Sequence, residues 1–205
     1  MSVSRRVALL GLSAALLSAC VGGGSFKTDY TPIPADVTRA WRLAEVRVNV
    51  PKTLVVSEQK SLLPAADIVW REDPLGDRHA QVAAIMKAAV TRGAQGLNGA
   101  RLVNIDVTVT RFHALTLEAE ARLQNAGVHN ISFTAQVIDA RTGEVLLAPV
   151  AIRAELPALS GSQMRAARAK GQTQKSMITA HVARSVAGWL GTGPDNRGTF
   201  TRSGN

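Results

Sequence analysis

The stretch RLVNIDVTVTRFHAL, residues 101–115, alternates strictly: Val103, Ile105, Val107 and Val109 are apolar, while Asn104, Asp106, Thr108 and Thr110 are polar. A period of two sends these sets to opposite sides of a β-strand, so the chain must bury one face of that strand and leave the other wet. The same rhythm returns in VHNISFTAQVIDARTGEVLLAPVAIRAEL, where Ile131, Phe133, Ala135 and Val137 alternate with polar residues. Its DARTG turn puts Gly143 where a positive φ is needed, and Val145 to Leu156 reads as the returning arm of a hairpin. LAEVRVNV adds a strand with Val46, Val48 and Val50 on one side, ended by Pro51. Shorter extended pieces are expected at Thr53–Glu58 and Ala66–Trp70.

Something must cover the apolar face, and two segments have helical spacing. In DPLGDRHAQVAAIMKAAVTRGAQG, Asp77 suits an N-cap and Val82, Ile85, Met86, Ala89 and Val90 form one stripe; Gly93 suits the C-cap. In QKSMITAHVARSVAGWLG, Ile178, Val182, Ser185 and Trp189 share a stripe and Gly191 is the stop. A short basic helix is expected from about Gln163 to Lys170, whereas residues 115–127 fit either a strand or a helix. The expected fold is therefore α+β: an antiparallel or mixed sheet of about four to five strands with two main helices packed on one face. Aromatics are only 4% of the chain, so its core must be built mainly from Val, Ile, Leu and Ala.

The N-terminus points to an address. Arg5 and Arg6 precede an apolar run from Val7 to Leu17, about half the length of a membrane-spanning helix. The run ends in Leu17-Ser18-Ala19-Cys20, which resembles the lipobox of bacterial lipoproteins. The small residues let a signal peptidase reach the backbone, and the Cys20 thiol would carry diacylglycerol at the new N-terminus. Cys20 is the only cysteine, so no intramolecular disulfide can form. The expected organisation is a signal peptide at 1–19, a flexible tether at 20–38, one domain at 39–191 and a disordered tail at 192–205. Val21, where an Asp retains enteric lipoproteins in the inner membrane, favours the outer membrane. The expected protein is lipid-anchored and faces the periplasm.

Loss of Arg5 and Arg6 takes the formal net charge from +9 to +7. The excess is concentrated between Leu156 and Pro194, which holds Arg165, Arg168, Lys170, Lys175 and Arg184 and no carboxylate. An exported protein excludes nucleic acid as a partner; an envelope protein, lipid head groups or peptidoglycan carboxylates fit better. The plainer alternative is a solvated basic helix face.

Little in the chain asks for catalysis or a cofactor. His113 and His129 lie near the ends of strands expected to be neighbours and are weak candidates for a metal pair, but two imidazoles alone do not hold zinc firmly. A hydrogen-bonded core histidine is the better reading of His129, and His181 on the last helix carries no stronger case. The acidic run DIVWREDPLGDR lacks the ligand spacing of a calcium loop. Trp70, Arg71 and Asp73 within it, with Arg165, Arg168, Lys170 and Lys175, are the candidate partner-binding surface, although a Trp in such a loop more often closes over a core.

The segments WRLAEVRVNVP, LVVSE, ADIVWREDPLGDRHAQVAAI, VTRFHAL, VHNISFTAQVIDARTGEVL and GQTQK resemble a family of alphaproteobacterial lipoproteins with a domain of unknown function. More distantly, the hairpin followed by a terminal helix is similar to periplasmic α+β auxiliary lipoproteins of lipid transporters. The resemblance implies an envelope lipoprotein acting as a non-enzymatic binding or assembly module. The alternative it leaves open is a lipid-binding accessory subunit, with an apolar groove lined by residues such as Val107, Phe133 and Ile178.

Overall fold

The computed structural model describes residues 25–201; Cys20 and the expected signal peptide lie outside the described residues. In chain order the elements are β1 (Phe26–Asp29), α1 (Ala35–Thr38), β2 (Trp41–Asn49), β3 (Ile68–Val69), α2 (Arg78–Gly93), β4 (Arg101–His113), α3 (Leu117–Arg122), β5 (Val128–Asp139), β6 (Val145–Ala154), β7 (Leu156–Pro157), α4 (Gly161–Ala169), α5 (Gln174–Trp189) and β8 (Gly198–Phe200). The strands form one open eight-stranded sheet in the order β2-β4-β5-β6-β1-β8, with β3 added to β4 and β7 to β5. β2 and β3 run parallel to β4, and the other pairs are antiparallel.

The alternating stretches lie side by side at the centre. Ile105 faces Val137, Val107 faces Ala135 and Val109 faces Phe133, so both apolar sets share one face. A bulge between Val109 and Arg111 then breaks the period. Beyond it Phe112 points into the core, while Arg111 and His113 remain on the polar face.

The sheet is larger than the four to five strands expected. β3 lies within the extended piece expected at Ala66–Trp70, and the strands not expected, β1, β7 and β8, have two to four residues each. Strands that short cannot display a period of two, and they gain order from a neighbour's edge. The segment 20–38, expected as tether, accordingly contains β1 and α1. The expected tail at 192–205 contains β8, which pairs with β1 and stacks Phe200 on Phe26 with ring centroids 5.9 Å apart. Within Thr53–Glu58 only Val56 makes a ladder contact, a bridge to Ile68. The ambiguous 115–127 stretch resolves into α3, whose cap Thr116 accepts from the Ala119 N–H.

α2 and α5, of 16 residues each, are the two main helices. Asp77 caps α2 as expected, and the Val82–Val90 stripe is buried, as are Ile178, Val182, Ser185 and Trp189 on α5. Gly93 serves differently from the expected C-cap. It ends the helix with φ −67°, and a Cβ there would lie 2.5 Å from the Ala183 carbonyl oxygen and 2.7 Å from Val186 Cβ. Gly93 is thus a point of close approach between α2 and α5, and its value is the missing side chain. Gly93→Ala is expected to destabilise the fold by about 1–3 kcal/mol through overpacking, read as a lower urea midpoint. Substitution of the open turn residue Gly143 by Asn, which tolerates a left-handed backbone, should shift that midpoint much less.

Candidate functional site

The acidic loop after β3 and the basic segment of α4 and α5 converge. Trp70 is fully buried rather than presented at a surface: its ring meets Phe112 edge-on at 5.7 Å, and its Nε1–H donates to Asp73 Oδ2 at 2.8 Å. Arg71 pairs with Glu58 and donates to its carbonyl oxygen at 2.7 Å. Arg78, 5% exposed, donates to the Glu58 carboxylate, to the carbonyl oxygens of Asp73 and Pro74, and to Gln81 Oε1. The loop is therefore fastened by an arginine that sequence reasoning missed. The signal was a cation in the first turn of a helix, where the macrodipole disfavours it unless carboxylates or carbonyls surround it.

Glu72 caps α5 from outside the helix. Its carboxylate accepts from Gln174 N–H at 3.0 Å, from Lys175 N–H at 2.6 Å and from Arg168 Nη2 at 2.9 Å. Arg168 also makes a forked pair with Glu120, through Nε and Nη2 at 2.9 Å each, and the Gln174 side chain donates to the same carboxylate. Lys175 Nζ donates to both oxygens of Asp73, at 2.9 and 3.1 Å. Burial pushes the Asp73 carboxyl up, but the hydrogen bonds from Lys175 and Trp70 outweigh it and leave it below the usual carboxylate value.

Five of the seven residues expected at a partner surface, Trp70, Arg71, Asp73, Arg168 and Lys175, are thus bound to the protein itself. Arg165 and Lys170 are exposed and make no ion pair among the described residues. Glu72→Ala would free two helix N–H groups and one side of Arg168. It is expected to lower stability by about 1–3 kcal/mol, measured by urea denaturation.

The histidines give no evidence of a metal centre. No group of three or more His, Cys, Asp or Glu among the described residues could hold a metal ion. His113 sits opposite Asn130, and its Nδ1 accepts from Arg111 Nη2 at 2.9 Å. Thr28 spends its single hydroxyl proton on the Glu155 carbonyl, so its oxygen accepts from His181 Nε2 at 2.9 Å. His129 is fully buried as expected, but neither ring nitrogen has the hydrogen-bond partner expected of it.

Burial, with His181 and His113 nearby, pushes His129 down from 6.5 to about 3; burial likewise takes His113 and His181 to about 4. Above pH 6.5 folded and unfolded chains are both neutral at these sites. As pH falls below that, the unfolded chain takes up protons that the folded chain refuses, and stability is lost. For His129 alone the loss is about 1.4 kcal/mol per pH unit below pH 6.5, ending near pH 3. Urea midpoints at pH 7.0 and 4.5 should show the decline, and His129→Leu should reduce it.

The apolar groove expected around Val107, Phe133 and Ile178 is absent because these side chains are closed in the core, at most 2% exposed. A small cleft of about 200 Å³ lies elsewhere, where β4 ends and β5 begins, lined by Leu62, Leu63, Leu115 and Leu123 with Arg111 and His113.

Solved structures that align with this chain include the following three. One is a candidate lipoprotein from Caulobacter crescentus CB15, 16% identical with TM-score 0.36, over 78% of this chain and 98% of that one. The others are PelC dodecamers from Paraburkholderia phytofirmans: a point variant at 12% identity and TM-score 0.33, over 82% and 96% of the two chains, and a second at 11% and 0.32, over 80% and 95%. Likeness at this level carries nothing about activity or assembly. No curated protein matches. A family model matches residues 41–205, from the first residue of β2 onward, and by that match the chain belongs to a family of unknown function, DUF6778.

Proposed function

We propose that this protein is a lipid-anchored envelope lipoprotein of the kind found in alphaproteobacteria, held through Cys20 and facing the periplasm from the outer membrane. Its domain acts as a non-enzymatic binding or assembly module. The observation that carries the second part is the closure of its polar clusters. Glu72, Asp73, Glu120, Arg168 and Lys175 are hydrogen-bonded to one another instead of being aimed at a shared open space. The Leu17-Ser18-Ala19-Cys20 sequence supports the anchor, and Val21 favours the outer membrane. Arg165 and Lys170, exposed on α4 and just beyond it, offer positive charge to an acidic envelope protein or to peptidoglycan carboxylates.

The lipid-handling alternative is less well supported. The groove it needs around Val107, Phe133 and Ile178 is closed. The cleft of about 200 Å³ falls below the 300–1,000 Å³ or so of ordinary ligand sites, and a second hollow of about 590 Å³ carries Arg92, His181 and Arg184 beside Leu156, Leu159 and Met177. Membrane fractionation tests the anchor: Cys20→Ser should move the protein from the membrane pellet to the soluble fraction. Crosslinking in intact cells tests the module: wild type should yield a discrete adduct that Arg165→Glu combined with Lys170→Glu weakens. Retention of Cys20→Ser in the pellet, or an adduct unchanged by the double substitution, would refute the respective part.

A further inference from the structure

The start of β1 leaves little chain between the anchor and the sheet. Phe26 is six positions after Cys20, and six residues span at most about 20 Å even when fully extended. β4, with 13 residues, is about 40 Å long. The domain is therefore longer than its leash, and one end of it must stay near the bilayer.

The register identifies that end. Thr28 pairs with Ala154, Ser132 with Arg153 and His113 with Asn130, so the chain enters where β4 finishes and β5 begins. The opposite end carries the β5–β6 turn with Arg141. At the entry end, Leu62, Leu63 and Leu117 are 40%, 63% and 56% exposed. They belong to two separate segments tied together where the Thr116 hydroxyl donates to the Ser61 carbonyl at 2.9 Å. Phe26 shares the cleft behind Leu62 and Leu63. Lys60, exposed and without an ion pair among the described residues, stands beside the leucines.

We infer that Leu62, Leu63 and Leu117 form a membrane-contact surface that enters the head-group boundary of the bilayer holding the Cys20 lipid, with Lys60 at the level of the phosphates. The occupant is the bilayer because the leash holds this end next to it. Three leucines alone bind a membrane weakly, but next to a covalent anchor they act at high effective concentration and set the domain's orientation. This inference rests on the reading of Cys20 as the lipidated residue.

The test uses the mature lipidated protein in phosphatidylethanolamine–phosphatidylglycerol vesicles. Acylation consumes the native thiol, so a single introduced cysteine carries the fluorophore, at Leu63→Cys or, as the far-end control, at Arg141→Cys. Bilayer-embedded spin-labelled lipid should quench the Leu63→Cys label several-fold more than the Arg141→Cys label. Intact mass of the same sample reports the lipid on Cys20. Acylated protein with equal quenching at both positions, or stronger quenching at 141, overturns the contact surface and leaves the anchor standing. Protein without the lipid mass overturns both. A Leu63→Cys label that is unquenched in vesicles but crosslinks to an envelope protein in cells also refutes the bilayer as occupant.

Discussion

One apolar face, shared by β4 and β5, sets the terms for the whole domain. Each strand alternates so regularly that water is tolerable on one side only, and paired in register the two make a single broad apolar surface. A lone hairpin cannot keep such a face dry, so the stripes of α2 and α5 lie over it. The helices can do so together because Gly93 offers no side chain at their point of contact. Even the placing of β2 follows: it runs parallel to β4, and α2 supplies the crossover that parallel strands require.

A second constraint concerns charge. The stretch between Leu156 and Pro194 holds five cations and no carboxylate, while Glu72 and Asp73 lie in the loop after β3, about 100 residues earlier in sequence. Folding brings them together at the start of α5. There Glu72 meets N–H groups that the helix cannot satisfy for itself, and Arg168 bridges Glu72 to Glu120. The junction ties the β3–α2 loop, α3, α4 and α5 into one block, so its polarity serves cohesion. A cluster of charges that looks like a recognition patch when spread along a sequence becomes, in three dimensions, a clasp.

What was legible in the sequence follows from this. Period-two runs and helical stripes announce themselves within a dozen residues, so β4, β5, β6, α2 and α5 could be read directly. β1 and β8 could not, because β1 is defined by its pairing with β6 and β8, and β8 by its pairing with β1, rather than by their own residues. The bulge after Val109 was hidden for the same reason, although the shift from Val109 to Phe112 on the apolar side is its trace. Trp70 and Asp73 were noticed as neighbours, but not that one donates to the other. The parts played by Glu72, Glu120 and Arg78 depend on contacts made across the fold, and only Arg78 left a local sign.

The pairing of β1 with both β6 and β8 also bears on mechanics. The N-terminal strand is flanked on both sides, with its hydrogen bonds perpendicular to its axis. A pull on the chain ahead of Phe26 along that axis therefore loads both ladders in shear, several bonds at once, rather than peeling them apart one by one. A drag force transmitted through the N-terminus would meet the sheet along a resistant direction, and the last strand of the chain would help to brace the first.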